Sequence, residues 1–155
     1  MTQQQAPEPL TELKLTDQIK EMVNTSFTSG KPIIVAYTDA NGAPSLSYRG
    51  SAIAYSDTQL AIWARNPEGG LNKVLAGKSG PVTMLYRNPG PDDRAMLQFR
   101  GIAHIQNDDA TREKVYSSIP EPEQNADREK KCSPVILDLD RVDGFMPGAR
   151  VAMRK

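Results

Sequence analysis

The sequence of 155 residues is short of reactive side chains and of excess charge. It has one cysteine, Cys132, and one histidine, His104, which excludes an internal disulfide and the usual Cys/His zinc spacings, and any catalytic triad would have to be built around His104. Lysine plus arginine number 19, as do aspartate plus glutamate, so the formal net charge is zero. We therefore expect no nucleic-acid partner and no membrane partner, and any anion site must be local.

Long apolar runs are also missing. No stretch approaches the roughly 18 residues that a membrane-spanning helix needs, and the N-terminal residues MTQQQAPEPL lack the basic start and apolar run of a signal peptide. These absences lead us to expect a cytosolic, cytoplasmic protein. The length suits one domain, so we expect a frayed tail over residues 1–9 and a single domain over residues 10–155.

Apolar periodicity predicts the first elements. Apolar residues recur at helical spacing within residues 10–27 behind Thr16-Asp17, which can cap a helix or lie in its first turn, so we predict one amphipathic helix that Ser29-Gly30 ends. Further along, Asn41-Gly42 lies between two runs of β-branched and aromatic residues, a strong hairpin signal that predicts a type I′ turn. The strands of this hairpin are expected at residues 33–38 and 45–55.

The rest of the chain continues as strands with few inserted helices. Gly101 interrupts the alternation of a strand at residues 94–106, where a glycine is typical of a bulge or a barrel bend. Residues 118–134 are charged and contain prolines, which indicates a lid, a linker or a helical turn. We predict a mainly β protein with six or more antiparallel strands in a closed or partly closed barrel of Greek-key type. The other predicted elements are strands at residues 60–65, 81–87 and 135–145, helices at residues 71–78 and 110–118, and a tail or short last strand at residues 146–155.

The rare reactive side chains are interpreted as structural. His104 lies in a predicted strand with no nucleophile beside it in sequence, which favours a solvent-facing or neighbour-bonded histidine. Cys132 follows two lysines, which can lower the pKa of a thiol, yet an ordinary surface thiol is the favoured interpretation. Pairs of acidic residues fall at turns and helix starts, which require no acid-base role, and no metal site is predicted.

One stretch points to a ligand: LAIWARNPEGGLNKVLAGKSGPVTMLY, residues 60–86. Gly69-Gly70 precedes a predicted helix, where free backbone N–H groups favour an anion such as phosphate. Arg65 and Lys73 lie on either side of that point, and Arg49 from a neighbouring strand adds a third cation. Taken alone, a plain connection with solubilising charges is favoured, because a glycine pair is a weak signal.

The order of the segments changes that interpretation. A helix, the hairpin IIVAYTDANGAPSLS, the strand LAIWAR, the short helix LNKVLAGK, the strand GPVTMLY and the later LQFRGIAHI together resemble the FMN-binding split barrel of the pyridoxamine 5′-phosphate oxidase-like superfamily. The resemblance runs over residues 33–105. It implies a homodimer with FMN in a cleft between the subunits, the flavin ring against the barrel and the phosphate held by cationic residues.

The resemblance also implies which residues contact the cofactor. One strand lines the ring, a triplet ends the third strand, a glycine-led segment holds the phosphate, and a later strand approaches with polar side chains. These residues are Ser47, Tyr48 and Arg49 for the ring, Trp63, Ala64 and Arg65 for the triplet, Gly69, Gly70, Leu71 and Lys73 for the phosphate, and Gln98 with Arg100 for the later strand.

The sequence departs from the pyridoxamine phosphate oxidases proper. Ser47 and Ala52 stand where their second-strand motif has arginine and lysine, and Glu68-Gly69-Gly70 stands where their phosphate segment has a Ser-Arg-Lys type of cluster. No counterpart of their C-terminal arginine and histidine motif is found in DGFMPGARVAMRK. Vitamin B6 oxidation is therefore not expected.

A flavin-dependent oxidoreductase, which passes electrons from a nicotinamide or organic donor to a small-molecule substrate, is the first hypothesis. The flavin supplies the chemistry, so no triad is needed. A deazaflavin-dependent reductase, a flavin- or haem-binding module without turnover, and a cofactor-free dimer remain open. His104 is the one histidine available to haem. The basic residues available to the acidic tail of a deazaflavin are Arg65, Lys73, Lys78, Arg150 and Arg154.

Overall fold

The structure is a computed structural model that describes residues 8–155, so most of the tail predicted at residues 1–9 lies outside the described residues. That part contains nine strands and four short helices. The strands are β1 (Leu10–Glu12), β2 (Ile33–Thr38), β3 (Pro44–Arg49), β4 (Ile53–Ser56), β5 (Gln59–Ala64), β6 (Gly80–Asn88), β7 (Ala95–Ile105), β8 (Ser133–Met146) and β9 (Ala149–Arg154). The helices are α1 (Asp17–Asn24), α2 (Gly70–Val74), α3 (Asp109–Ser118) and α4 (Glu121–Asn125).

In residues 8–155, nine strands form one sheet in the order β3-β2-β6-β7-β8-β9-β1, and β5 branches from β8 and pairs with β4. The mainly β fold and the split barrel are confirmed. The pairing of β1 with β9 is parallel, so the prediction of purely antiparallel strands is wrong at this edge. The barrel is open at the seam between β3, which pairs with β2, and the β5–β4 pair.

β8 joins the two parts of the sheet. Along one edge, the first half of β8 pairs with β5 and the second half pairs with β9. Along the opposite edge, β8 pairs with β7 over most of its length. The register slips between Arg100 and Gly101, because Gly101 lies opposite Leu139 while Arg100 lies opposite Arg141. The bulge predicted at Gly101 is confirmed, and it lies where β8 changes partner.

The apolar side chains divide between two clusters. The larger fills the barrel with the inward faces of β2, β5, β6, β7, β8 and β9, closed by Ile19 and Val23 of α1. The smaller lies between α3 and the outer side of β5, around Trp63, Val115 and Ile136. β5 is therefore covered on both faces, as its nearly continuous apolar sequence requires.

The first predicted helix is shorter than expected. Thr16 caps α1 by accepting a hydrogen bond from the backbone N–H of Ile19 (3.2 Å), so the helix begins at Asp17. The residues before it form β1. The start at Thr16-Asp17 is as predicted, but α1 ends at Asn24 rather than at Gly30, and residues 25–30 form turns. The strand at Leu10, which pairs with β9, was not predicted.

The segment predicted as one strand at residues 45–55 is two strands. β3 pairs with β2 and β4 pairs with β5, with a corner at residues 50–52 between them. The predicted type I′ turn is also wrong: Gly42 has φ +80°, but Asn41 does not have positive φ. Instead the Asp39 carboxylate accepts hydrogen bonds from the backbone N–H groups of Asn41 (2.9 Å) and Ala43 (3.0 Å), which builds the loop around an aspartate.

Residues 118–134 contain α4 and are held down at several points. The Tyr116 hydroxyl donates to the Gln124 carbonyl (2.9 Å), and the Gln124 side chain returns a hydrogen bond to the Tyr116 carbonyl (2.8 Å). The Arg112 guanidinium donates to the carbonyls of Lys130 (2.6 Å) and Cys132 (2.9 Å). Of the three alternatives considered for this segment, the helical turn is present. Between residues 8 and 155, no helix has the length and apolar character to cross a bilayer.

Candidate cofactor cleft

A small cleft of about 210 Å³ opens at the seam of the barrel. It lies between the end of β3, the corner that follows it, the end of β5 and α4. Its lining residues are Ser47, Tyr48, Arg49, Gly50, Ser51, Trp63, Arg65 and Glu123. Arg49 and Arg65, which the sequence places 16 positions apart, thus line one cavity.

The alternation of β3 decides which side chains enter the cleft. Ser47 and Arg49 turn toward the barrel side, and the Arg49 Nε donates a hydrogen bond to the Ser47 hydroxyl (3.2 Å). The Ser51 hydroxyl accepts from the backbone N–H of Trp63 (3.0 Å) and donates to its carbonyl (3.2 Å). This buried hydroxyl fastens the corner after β3 to β5 and so fixes the width of the cleft.

Arg65 meets an acid in the cleft. The Glu123 carboxylate lies 3.6 Å from the Arg65 Nε, and the Glu123 residue is only 8% exposed. Half of the Arg65 side chain remains exposed, which leaves its guanidinium accessible to a ligand. The sequence analysis did not single out Glu123, because nothing in its neighbourhood distinguishes it from the other acidic residues of this segment.

Trp63 is already packed inside the chain, with 1% of its surface exposed. Its ring meets Tyr116 edge to face at 5.2 Å between centroids, and the Arg112 guanidinium lies 5.1 Å from its ring centre. Its indole N–H donates to the Asp127 carboxylate at 2.8 Å. The Trp63 side chain is therefore a core aromatic, which leaves Tyr48 as the aromatic side chain free to meet a ring.

Asp127 and Cys132 both lie beside Trp63: Asp127 accepts the indole hydrogen bond, and Cys132 belongs to the same buried apolar cluster. Partial burial raises the pKa of Asp127, but hydrogen bonds from the Trp63 indole and from the backbone N–H groups of Lys131 and Cys132 outweigh it, so the pKa lies below its usual value. Burial, reinforced by the neighbouring Asp127, raises the pKa of Cys132 to about 11. The expectation of a surface thiol is wrong, and the direction of the pKa shift is opposite to the one that the adjacent lysines suggested.

The glycine-led segment lies outside the cleft lining. α2 has five residues, fewer than the predicted helix at residues 71–78, and Gly69 is its N-cap without a side-chain bond. Gly70 has φ +53° and lies beside the Tyr37 hydroxyl. Leu71 is buried in the barrel core, so only its backbone is available to a ligand, whereas Lys73 is exposed.

An amide that the sequence analysis missed fixes α2 to the end of β5. The buried Asn72 side chain donates hydrogen bonds to the carbonyls of Ala64 and Asn66, both at 2.9 Å. Within the described part of the chain its side-chain oxygen has no hydrogen-bond partner. Ala64, buried in the barrel core, thus contributes its carbonyl oxygen to this link.

Gln98 lies on the other face of the sheet. Paired positions place Tyr48, Ile34, Leu85 and Gln98 in one row across β3, β2, β6 and β7. The next row contains Leu46, Ala36, Thr83 and Arg100. Both rows point away from the barrel core, and Leu46 and Tyr48 are 70% and 69% exposed. We call this surface the outer face, and within one chain it separates Gln98 from Arg49 by the thickness of the sheet.

His104 has a neighbour at each ring nitrogen. Its Nδ1 lies 3.3 Å from the Asp138 carboxylate and its Nε2 lies 3.1 Å from the side-chain oxygen of Gln106. The interpretation of a neighbour-bonded histidine is confirmed. A wider groove of about 600 Å³ also passes Asp138, but it lies beside the bulge rather than at the seam.

Several solved structures share this architecture. HupZ of Group A Streptococcus superposes with a TM-score of 0.64 at 18% identity, covering 87% of this chain and 97% of that one. A pyridoxinephosphate oxidase family protein of Clostridium acetobutylicum superposes with a TM-score of 0.58 at 10% identity, covering 87% and 95%. This chain has the split-barrel fold of the pyridoxamine 5′-phosphate oxidase-like superfamily.

The split barrel is shared with a protein described as FMN-binding. That protein, from Syntrophomonas wolfei, superposes with a TM-score of 0.54 at 6% identity and covers 83% of this chain and 86% of its own. No protein-family model and no curated protein matches the sequence of this split barrel. The similarity is therefore one of fold, and the contacts proposed for a ligand have to come from the cleft itself.

Proposed function

We propose that this split barrel is a flavin-dependent oxidoreductase that holds FMN in a cleft completed by a second copy of the chain. The observation that carries the proposal is the convergence of Arg49 and Arg65 on one cavity at the seam. Two guanidinium groups with serine hydroxyls beside them suit a phosphate, because arginine offers planar, charge-assisted hydrogen bonds. The FMN-binding protein with the same fold supports the choice of flavin.

The size of the cleft supports a shared site. Its 210 Å³ accommodates a phosphate group, whereas pockets that bury a whole drug-sized ligand have about 300–1,000 Å³. The ring would therefore lie outside the cleft, against the exposed Tyr48 at its mouth. A ring left on one protomer alone would be solvated, so burying it needs a second surface.

The outer face supplies that surface. Leu46 and Tyr48 project from β3, the sheet edge, next to the partly buried Ile34, Ala36 and Leu85. A contiguous apolar patch of this kind on a sheet edge is typical of an interface, and a twofold contact would bury it against its own copy. Packing two outer faces together would also carry Gln98 and Arg100 of one protomer toward the seam of the other. The homodimer thus brings together contact residues that one chain holds apart.

The chain's own groups have simple roles in this scheme. Arg49 and Arg65 bind the phosphate, Ser47 orients Arg49, and Tyr48 covers the ring. Bound flavin supplies hydride acceptance and electron transfer, which explains why no nucleophile or general base is needed beside it.

The Arg49→Ala, Arg65→Ala double variant tests the phosphate contacts. We expect the dissociation constant for FMN to rise at least about 100-fold, since the two charge-assisted contacts contribute roughly 1.5–3 kcal/mol each. Riboflavin, which lacks the phosphate, should bind both proteins equally, as measured by quenching of flavin fluorescence. The Arg128→Ala, Arg150→Ala double variant removes two exposed arginines elsewhere and should bind FMN as the unaltered protein does. An equal loss for FMN and riboflavin would contradict the assignment.

Absorbance distinguishes an enzyme from a binding module. Protein loaded with FMN should lose its flavin absorbance when a nicotinamide donor is added anaerobically. Retained flavin without donor-driven bleaching would assign the protein to the non-catalytic modules instead. Selective retention of a deazaflavin or of haem would replace FMN in the proposal.

A further inference from the structure

Glu123 is a buried acid inside a cleft that otherwise favours anions. It belongs to α4, which Pro120 precedes as N-cap, and its carboxylate faces Arg65 at 3.6 Å. Within residues 8–155 Arg65 is its one ionic partner, and 3.6 Å is too long for a hydrogen bond. A buried carboxylate is costly unless it is closely paired, so this acid is not explained by packing or stability alone.

The surrounding chain makes room for this carboxylate. Gly50 forms the wall opposite Glu123, and a Cβ at that position would collide with the carboxylate oxygen and lie 2.6 Å from the Phe27 ring. Gly50 does not have positive φ, so its backbone alone does not require glycine. The corner between β3 and β4 is therefore shaped around the acid of α4.

The charges in the cleft then set what it accepts. Arg49 and Arg65 contribute two positive charges and Glu123 one negative, which leaves an excess of one positive charge. A phosphate monoester carries about −1.5 to −2 at pH 7. Such a group would gain contacts with two guanidiniums and at the same time meet a carboxylate already paired with one of them.

We propose that Glu123 is a specificity-determining residue that lowers the affinity of the cleft for doubly charged phosphate groups by competing with them for Arg65. This inference rests on the proposed function for the identity of the ligand, FMN. The consequence is that FMN is held reversibly and exchanges with free flavin, rather than remaining bound through purification. Glu123 contacts no reacting atom in this scheme and acts only on the phosphate end of the ligand.

The test compares FMN with riboflavin on three proteins: the unaltered chain, Glu123→Gln and Glu121→Gln. Glu121 lies on the same helix but is exposed and lines no part of the cleft, so it controls for the loss of one negative charge. We expect Glu123→Gln to bind FMN about tenfold more tightly, and riboflavin unchanged within about twofold, because only the phosphate meets the carboxylate. Glu121→Gln should match the unaltered protein for both ligands.

Equal or weaker FMN binding by Glu123→Gln would overturn the inference and make Glu123 a positioning group for Arg65. Glu123→Asp retains the charge and should stay close to the unaltered affinity, which separates charge from packing. Melting temperatures of all variants show whether the fold is kept.

Inorganic phosphate separates this inference from the proposed function. If no variant binds either flavin, the flavin proposal fails. A rise in melting temperature with added phosphate that is larger for Glu123→Gln than for the unaltered chain would still support the role of Glu123. An equal rise, or none in either protein, would overturn that role as well.

Discussion

The Leu46→Glu, Tyr48→Glu double variant is expected to be a monomer at concentrations where the unaltered protein should form the proposed dimer. Both side chains project from β3 and about 70% of each is exposed in one protomer. Burying an apolar side chain of this size contributes about 1.5–3 kcal/mol, and a twofold contact uses each side chain twice. Four glutamates placed in such an interface should raise the dimer dissociation constant roughly a thousandfold or more.

Sedimentation velocity over a range of protein concentrations measures this change directly. The Thr11→Glu, Ser117→Glu variant adds the same two charges at exposed positions away from the outer face and should leave the association unchanged. FMN binding should weaken together with the dimer, because the ring loses the surface that covers it. A Leu46→Glu, Tyr48→Glu protein that stays dimeric would place the interface elsewhere and remove the argument for a shared cleft.

Replacing Gly101 by alanine is expected to lower the free energy of unfolding by about 3 kcal/mol, out of the 5–15 kcal/mol typical of a domain. A Cβ at this position would overlap the Asp138 carbonyl oxygen and lie 2.9 Å from the Cα of Leu139. These are backbone atoms, which cannot rotate away as a flexible side chain would. The bulge, and with it the change of partner along β8, would have to shift.

Gly80 provides a matched control for Gly101. It also lies in a strand without positive φ, but a Cβ there would meet the nearest atom, the end of the Leu75 side chain, at an ordinary 3.5 Å. Chemical denaturation of Gly80→Ala should give a free energy of unfolding within about 0.5 kcal/mol of the unaltered protein. Similar losses for both variants would mean that the loss at Gly101 does not come from the close approach at the bulge, because the effect of alanine on the unfolded chain alone raises stability.

Local signals in the sequence predicted most of the sheet. The strand alternation around Gly101 and the glycine itself predicted both β7 and its bulge, because a missing Cβ and a period of two are properties of the chain alone. The helix predicted at residues 110–118 likewise begins within one residue of α3, which Asp108 caps by accepting a hydrogen bond from the backbone N–H of Thr111. The start of the first helix at Thr16-Asp17 was also predicted, although the helix ends before Gly30. The strand at Leu10 was missed, since only the edge of β9, more than 130 residues away, explains why Leu10 is extended.

The candidate site was less accessible to sequence reasoning. Arg49 and Arg65 were grouped as cations near one anion site, but their place in one cleft depends on the corner at residues 50–52, which the sequence analysis treated as continuous strand. Glu123 carries no local signal, because its role comes from α4 folding back over a glycine 73 positions earlier. The burial of Cys132 is likewise a tertiary effect, since its side chain packs with Trp63 and Val115 from distant segments.

The buried thiol of Cys132 gives this chain a built-in chemical probe of local opening. With its pKa near 11 and its side chain buried in the cluster around Trp63 and Val115, the sulfur cannot react with a disulfide reagent at neutral pH until that cluster opens. Because the sequence has a single cysteine, every reacted thiol records one such opening. The rate of modification therefore reports how often the cluster around Trp63, next to the cleft that Arg49 and Arg65 line, opens to solvent, with no label added to the protein.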